Sequence, residues 1–305
     1  MALTTRVVVV HRRSELDELT ERHATRGQVE FFLKQRGRSL AAVEVADVQE
    51  SAALTMIGSA IPVDWRRAEV EREDLPQFLF GPEDVIAVVG RDGLVANVAK
   101  YVGDQTVVGF NPFPHLNAGV LTPHAPASAA VLLAAIDRGQ APVEGRTMVA
   151  ARTDDGQELC ALNDVYVGDA GHQSARYELL APGGGAEAQS SSGIIVGTGT
   201  GATGWLRSLA HDRERADLLP PATAPRLAWF VREAWPSPFT AAGLTAGAFS
   251  APDALALTVQ SESLIVFGDG IESDRIVVTH GQRLEVRVSQ RRLRLVGAPM
   301  SARAN

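Results

Sequence analysis

With one cysteine among 305 residues, the chain cannot close an internal disulfide. Cys160 sits in the apolar stretch 159–162, which predicts a buried, reduced thiol and a reducing compartment, the cytoplasm. Long hydrophobic runs are lacking too. The longest uncharged stretch, around 116–136, is broken by Pro123, His124 and Pro126, so no membrane span is expected. The valine run at 7–10 is too short for the core of an export signal and has no small-residue cleavage region after it. Positive charge is in deficit. A formal net charge of −7 argues against nucleic acid as the partner, because gripping a phosphate backbone needs a broad basic surface. The seven histidines are scattered, and there is no His-Glu-x-x-His, no Gly-x-Ser-x-Gly elbow and no P-loop. Zinc chemistry and serine-hydrolase chemistry drop away, and no metal ligand set is predicted.

What is present is an ordinary globular mix, 45% hydrophobic and 21% charged, in a chain long enough for two domains. Residues 7–10 read as a β-strand, followed by a helix that Ser14 can cap. Residues 40–48 mix apolar and acidic side chains and predict a second strand. The continuous apolar run 84–89 between Pro82 and Gly90 predicts a strand buried on both faces of a parallel sheet. A helix over 94–101 and a strand over 106–110 complete a β-turn-α-β unit. Pro126 then opens an Ala- and Leu-rich helix that ends before Gly139. Beyond it come short β-like segments separated by Gly, Asp, Ser and Pro, among them 147–152, 159–167, 175–180, 194–197, 255–260, 263–267, 275–279 and 283–288. The expected fold class is an α/β domain with a parallel sheet and flanking helices over residues 1–125, joined by a bridging helix, 126–138, to a mainly β domain over 126–305.

Three features can carry chemistry. Gly90-Arg91-Asp92-Gly93-Leu94 puts a glycine-flanked aspartate where a buried strand becomes a helix. Helix starts leave backbone N–H groups unpaired and favour negative charge, and glycines admit a phosphate close to the main chain. A plain Asp-Gly turn explains the same residues. Asn163-Asp164 lies inside an apolar run, where a polar pair needs either internal hydrogen bonds or a ligand. The third feature, Thr198-Gly199-Thr200-Gly201-Ala202-Thr203-Gly204-Trp205, offers main-chain donors, hydroxyls and an aromatic ring with little bulk, which suits phosphates, ribose and a base. A flexible connector is the alternative.

In order, these stretches resemble the NAD kinase family, whose pattern is a Gly-Gly-Asp-Gly-Thr turn, an Asn-Glu pair and a Thr-Pro-Thr-Gly-Ser-Thr-Ala-Tyr loop. Gly109-Phe110-Asn111 with Gly119-Val120-Leu121, and Phe267-Gly268-Asp269-Gly270, are similar to it as well, so the likeness runs from about Val85 to Val288. Arg91 stands in place of a glycine, Asp164 of a glutamate, Ser192 of an aspartate and Trp205 of a tyrosine. The resemblance implies Asp92 as the base, Gly90, Arg91 and Gly93 at the ATP phosphates, and Asn111, Asn163, Asp164, Thr200, Thr203 and Trp205 around the acceptor. It also implies Mg²⁺ carried with ATP, NAD as acceptor and a homo-oligomer. Phosphoryl transfer is mainly positioning and charge stabilisation, so such a site needs few catalytic side chains. The changed acceptor positions leave two alternatives. One is a kinase of another hydroxyl on a sugar, nucleoside or lipid, and the other is a catalytically weak dinucleotide-binding regulator.

Overall fold

The computed structural model describes residues 5–298, which form two compact units. The first runs through Glu144 and takes up the chain again from Arg294; the second is Gly145–Leu293.

The first unit is a parallel sheet with helices. Its elements are β1 (Arg6–His11), α1 (Glu15–His23), α2 (Arg26–Lys34), α3 (Leu40–Ala60), β2 (Arg66–Glu71), β3 (Asp84–Val89), α4 (Asp92–Ala99), β4 (Thr106–Phe110) and α5 (Ala129–Asp137). The strand order is β2-β1-β3-β4, all parallel. Val7 to Val10 are fully buried, each side chain contributing about 1.5–3 kcal/mol of hydrophobic stabilisation, which fixes β1 in the interior of the sheet. Ser14 caps α1 as its sequence position predicts, its hydroxyl accepting from the Asp17 amide at 3.1 Å.

The chain leaves β1 toward β2 on one side, then crosses back to β3 on the other. This reversal makes the carboxyl ends of β1 and β3 the topological switch point, where open parallel sheets place their ligand crevice. Helix α4 starts there. Its residues from Leu94 to Ala99 are all buried, so only its first turn faces outward.

Two expectations change. Residues 40–48 are the start of the 21-residue helix α3 and not a strand: Leu40, Val43, Ala53 and Ile57 turn inward at helical spacing, and the alternation around Val43 and Val45 is too short to set a period of two. The expected division at 125/126 falls inside the first unit. Helix α5 packs Ala129 and Leu133 into the same core as Val7, Val85 and Val108, and Arg294 and Leu295 pair in parallel with Thr106 and Val107 of β4.

The second unit is a β-sandwich. Its strands are β5 (Val143–Thr153), β6 (Glu158–Ala161), β7 (Asp164–Gly168), β8 (Ala175–Leu180), β9 (Ala186–Ser191) and β10 (Ile194–Gly197). Then come helix α6 (Trp205–Asp212) and the strands β11 (Arg226–Val231), β12 (Ala246–Ser250), β13 (Ala254–Val259), β14 (Ser263–Gly268), β15 (Ile276–Thr279) and β16 (Arg283–Val296). Six of them, β12-β11-β10-β7-β14-β15, make an antiparallel sheet, and β16-β13-β8-β9 with β5 and β6 make the other layer. Val165, Ile194 and Trp229 from the first layer meet Tyr177, Leu255 and Val286 from the second in one apolar core. Leu206 and Ala210 of α6 cover the opposite face of the six-stranded sheet, over Ile195, Phe230 and Phe267. Cys160 is buried and free.

Candidate functional site

In the first unit the site is built around Asp92. Gly90 holds a φ of +152°, a left-handed conformation that favours glycine, and so turns the chain sharply out of β3. Arg91 occupies the N-cap of α4 and makes no capping bond, so the helix start keeps its outward N–H donors. The Asp92 carboxylate accepts four hydrogen bonds. Its Oδ1 takes the amides of Leu121 and Thr122 at 2.9 and 3.1 Å and the Thr122 hydroxyl at 3.1 Å, while its Oδ2 takes only the Val120 amide at 2.9 Å. Oδ1 is saturated, and Oδ2 keeps an acceptor position. Gly119, at φ +65°, brings that loop in, since a Cβ there would stand 2.5 Å from the Thr122 carbonyl oxygen. Gly93 differs: a Cβ built on it meets no heavy atom within 4 Å, so packing does not demand a glycine.

In the second unit the site lies where the expected strand 159–167 is interrupted. Between β6 and β7 the ladder gives way to side chains. The Asp269 carboxylate accepts the amides of Leu162 and Asn163 at 2.9 and 2.7 Å, and the Asp269 amide returns a bond to the Asp164 carbonyl at 3.0 Å. The Thr198 hydroxyl donates to the Leu162 carbonyl at 2.6 Å, and the Thr198 amide donates to that of Asn163 at 2.8 Å. Two residues are thereby lifted out of the sheet and held rigidly. The glycines of the Thr-Gly loop serve this packing: a Cβ on Gly201 would lie 2.4 Å from the Asn163 carbonyl oxygen, and one on Gly199 would lie 2.2 Å from the Pro221 backbone.

The side chains this frame presents are unspent. The Asp164 carboxyl, only 8% exposed, and the Asn163 amide have no hydrogen-bond partner among the described residues. Burial, reinforced by the neighbouring Asp269 carboxylate, pushes Asp164 up to about 7. The Thr200 hydroxyl is buried with no hydrogen-bond partner among the described residues. Such groups cost stability unless a ligand satisfies them. Trp205 opens α6 and is exposed, its ring stacked at 17° and 6.0 Å on Tyr166, with the Arg232 guanidinium 5.4 Å from its centroid.

The remaining predicted positions are placed less openly. Thr203 is exposed, and its hydroxyl donates to the Thr200 carbonyl at 3.0 Å. Asn111 is 5% exposed and spends its side chain within its own turn, accepting from Phe113 N at 2.8 Å and donating to the Asn117 carbonyl at 3.0 Å. Sequence reasoning gave no role to Asp269, Thr198 or Tyr166; the Gly-Asp-Gly at 268–270 was the available signal for the first. No group of three or more His, Cys, Asp or Glu side chains among the described residues could cage a metal ion, and no described helix is long and apolar enough to cross a membrane.

A parallel sheet with a helix start at its switch point and a β-sandwich carrying a second polar cluster define a two-domain fold that solved structures share. An NAD kinase from Archaeoglobus fulgidus, solved in complex with ATP, matches 95% of this chain and 93% of its own at a TM-score of 0.57 and 16% identity. Yeast NADH kinase, complexed with NADH, matches 97% of this chain and 84% of its own at a TM-score of 0.60 and 12% identity. Both likenesses are of fold. In sequence, an NAD kinase of Halorubrum lacusprofundi is 33% identical over 133 residues, 40% of this chain and 46% of the relative. One of Clostridium tetani is 32% identical over 132 residues, 41% and 47%. The chain thus spans about half the length of the curated relatives it matches, and no family model matches it. It therefore shares the fold of these kinases and, over about two fifths of its length, a partial sequence likeness to NAD kinases.

Proposed function

We propose that the protein transfers the γ-phosphoryl group of Mg-ATP to the 2′-hydroxyl of the adenosine ribose of NAD, giving NADP and ADP. The observation that carries this reading is that polar groups at the resembling positions keep capacity the protein has not used: the uncapped start of α4, the remaining acceptor position of Asp92 Oδ2, and the side chains of Asp164, Asn163 and Thr200. In this reading the outward N–H groups of α4 and Arg91 hold the donor phosphates, with Gly93 giving them room. The acceptor oxygen attacks the γ-phosphorus as the bond to the β,γ-bridging oxygen breaks, and the hydroxyl proton passes to Asp92 Oδ2. Mg²⁺ would enter as part of the ATP complex, where it would neutralise charge on the phosphates. Asn163, Asp164, Thr200 and Thr203 bind ribose and base edges, and Trp205, backed by Tyr166, stacks the base. The family likeness supports a homo-oligomer, and the free buried thiol of Cys160 suits the cytoplasm.

The test is to incubate the purified protein with Mg-ATP and NAD and to quantify NADP by mass spectrometry beside Asp92→Asn. We expect NADP from the parent protein and a loss of at least a hundredfold in the variant, with both circular dichroism spectra native. A folded parent protein that makes no NADP would overturn the reading.

A further inference from the structure

The switch point of the first unit gathers more charge than the Gly-x-Asp-Gly turn supplies. The register Val10 with Val88 sets the ends of β1 and β3 side by side, so His11 and Arg12 leave the sheet next to Gly90 and Arg91. Helix α3 reaches the same carboxyl edge. The Gln49 side chain donates to the Pro112 carbonyl, just beyond β4, at 2.6 Å, which brings its neighbour Glu50 to the crevice. The electrostatics agree with this placement. Burial and Asp47 push the Glu50 carboxyl above the ordinary range, while Arg91, His11 and Arg12 pull it back down.

These cations are not equally committed. His11 is paired with Glu69 at 3.2 Å, and Arg13 with Glu21 at 2.6 Å. Arg12 donates two hydrogen bonds to one Glu18 carboxylate oxygen, at 3.1 and 2.9 Å, but with its side chain 54% exposed this is a solvent-screened surface pair that a phosphate can displace. The Arg91 side chain makes no ion pair or hydrogen bond among the described residues and acts on Glu15 and Glu50 only through space. Two arginines thus flank the uncapped start of α4 from adjacent strands, one free and one loosely held. Guanidinium groups bind phosphate oxygens in pairs, so together they match an extended phosphate chain better than a single phosphate.

We infer that Arg12 is a second arm of the donor site, closing with Arg91 on a linear chain of three phosphates. This rests on the kinase reading above and names the residue and the donor chemistry that it leaves open. The donor is recognised by its phosphates, so a nucleoside triphosphate and inorganic tripolyphosphate both qualify.

Calorimetry with Mg-ATP, Mg-tripolyphosphate and, as a control, NAD tests this on the parent chain, Arg12→Ala, Arg12→Lys and Arg91→Ala. Charge-assisted bonds to phosphate predict that each alanine variant binds both phosphate compounds about tenfold or more weakly, that lysine at 12 recovers part of the loss, and that NAD affinity does not move. An Arg12→Ala protein with parental affinity for both compounds overturns the inference while leaving the kinase reading intact. So does a parent that takes ATP but not tripolyphosphate. A parent that binds neither compound removes both.

Discussion

Asp164 allows the acceptor-side reasoning to be tested without any ligand. Its carboxyl is nearly enclosed, faces a second carboxylate and has no protein donor, and it is raised from an ordinary 3.8 to about 7. Below about pH 4 the group is protonated in folded and unfolded chains alike and costs nothing. Between about pH 4 and 7 the unfolded chain gives up its proton while the folded chain keeps it, so stability falls as pH rises; above 7 the penalty is constant. At about 1.4 kcal/mol for each pH unit, the full penalty reaches about 4 kcal/mol. Asp164→Asn keeps the size and removes the ionisation. Urea unfolding at a series of pH values should show the variant gaining on the parent from pH 4.5 to 8 by up to that amount. The gain should be bought with acceptor binding, which we expect to weaken tenfold or more. In the parent, NAD binding near pH 6.5 should release protons, seen as a dependence of binding heat on buffer ionisation, because ribose hydroxyls donate to the carboxylate form. A stability difference that stays flat across this pH range would refute the reasoning.

Two further substitutions separate packing from ligand binding. Gly93→Ala places a methyl group where no protein atom stands, in the first turn of a helix, and should raise stability by about 0.5–1 kcal/mol in thermal melts while weakening Mg-ATP binding about tenfold; unchanged ATP affinity would show that the phosphates do not approach this turn. Thr200→Val removes a buried hydroxyl without a partner, so it should be neutral or stabilising by about 1 kcal/mol and should weaken NAD binding by calorimetry. A clear loss of stability would mean that the hydroxyl has an internal partner.

The legibility of the fold follows the strength of local patterns. Residues 84–89 and 106–110 were readable because a strand buried on both faces needs a continuous apolar run, and the structure places both in the interior of the parallel sheet. Ser14 was readable as a cap because its hydroxyl has one obvious use. Residues 40–48 misled because Val43 and Val45 alternate with Glu44 for too few positions, and Val45 and Val48 are exposed on a helix whose length decides its type. Strands β9 and β12 gave no signal: apart from Phe249, Ala186–Ser191 and Ala246–Ser250 are made of small and polar residues, and their pairing with β8 and β11 makes them strands. The return of the chain into the parallel sheet at Arg294 is a long-range pairing that no local window contains.

For the candidate site, sequence proposed residues but could not say which of their atoms the protein itself uses. The glycines at 199 and 201 suggested a loop open to phosphate; in the structure they let the loop press against Pro221 and Asn163, and the groups left without partners are the neighbouring side chains of Asp164 and Thr200. Asp92 shows the same division within one residue. Its Oδ1 builds the site by fastening the Leu121–Thr122 backbone, and only Oδ2 remains for chemistry. A motif therefore records both the groups that act and the groups that hold them, in the same letters. What separates them is whether the protein has already used the atom: spent on neighbours, as in Asn111, or unspent, as in Asp164 and Thr200. On the proposed reading this is how Arg91, which breaks the glycine pattern, would serve the donor: its guanidinium has no partner among the described residues and stands beside an uncapped helix start, where an anion is favoured.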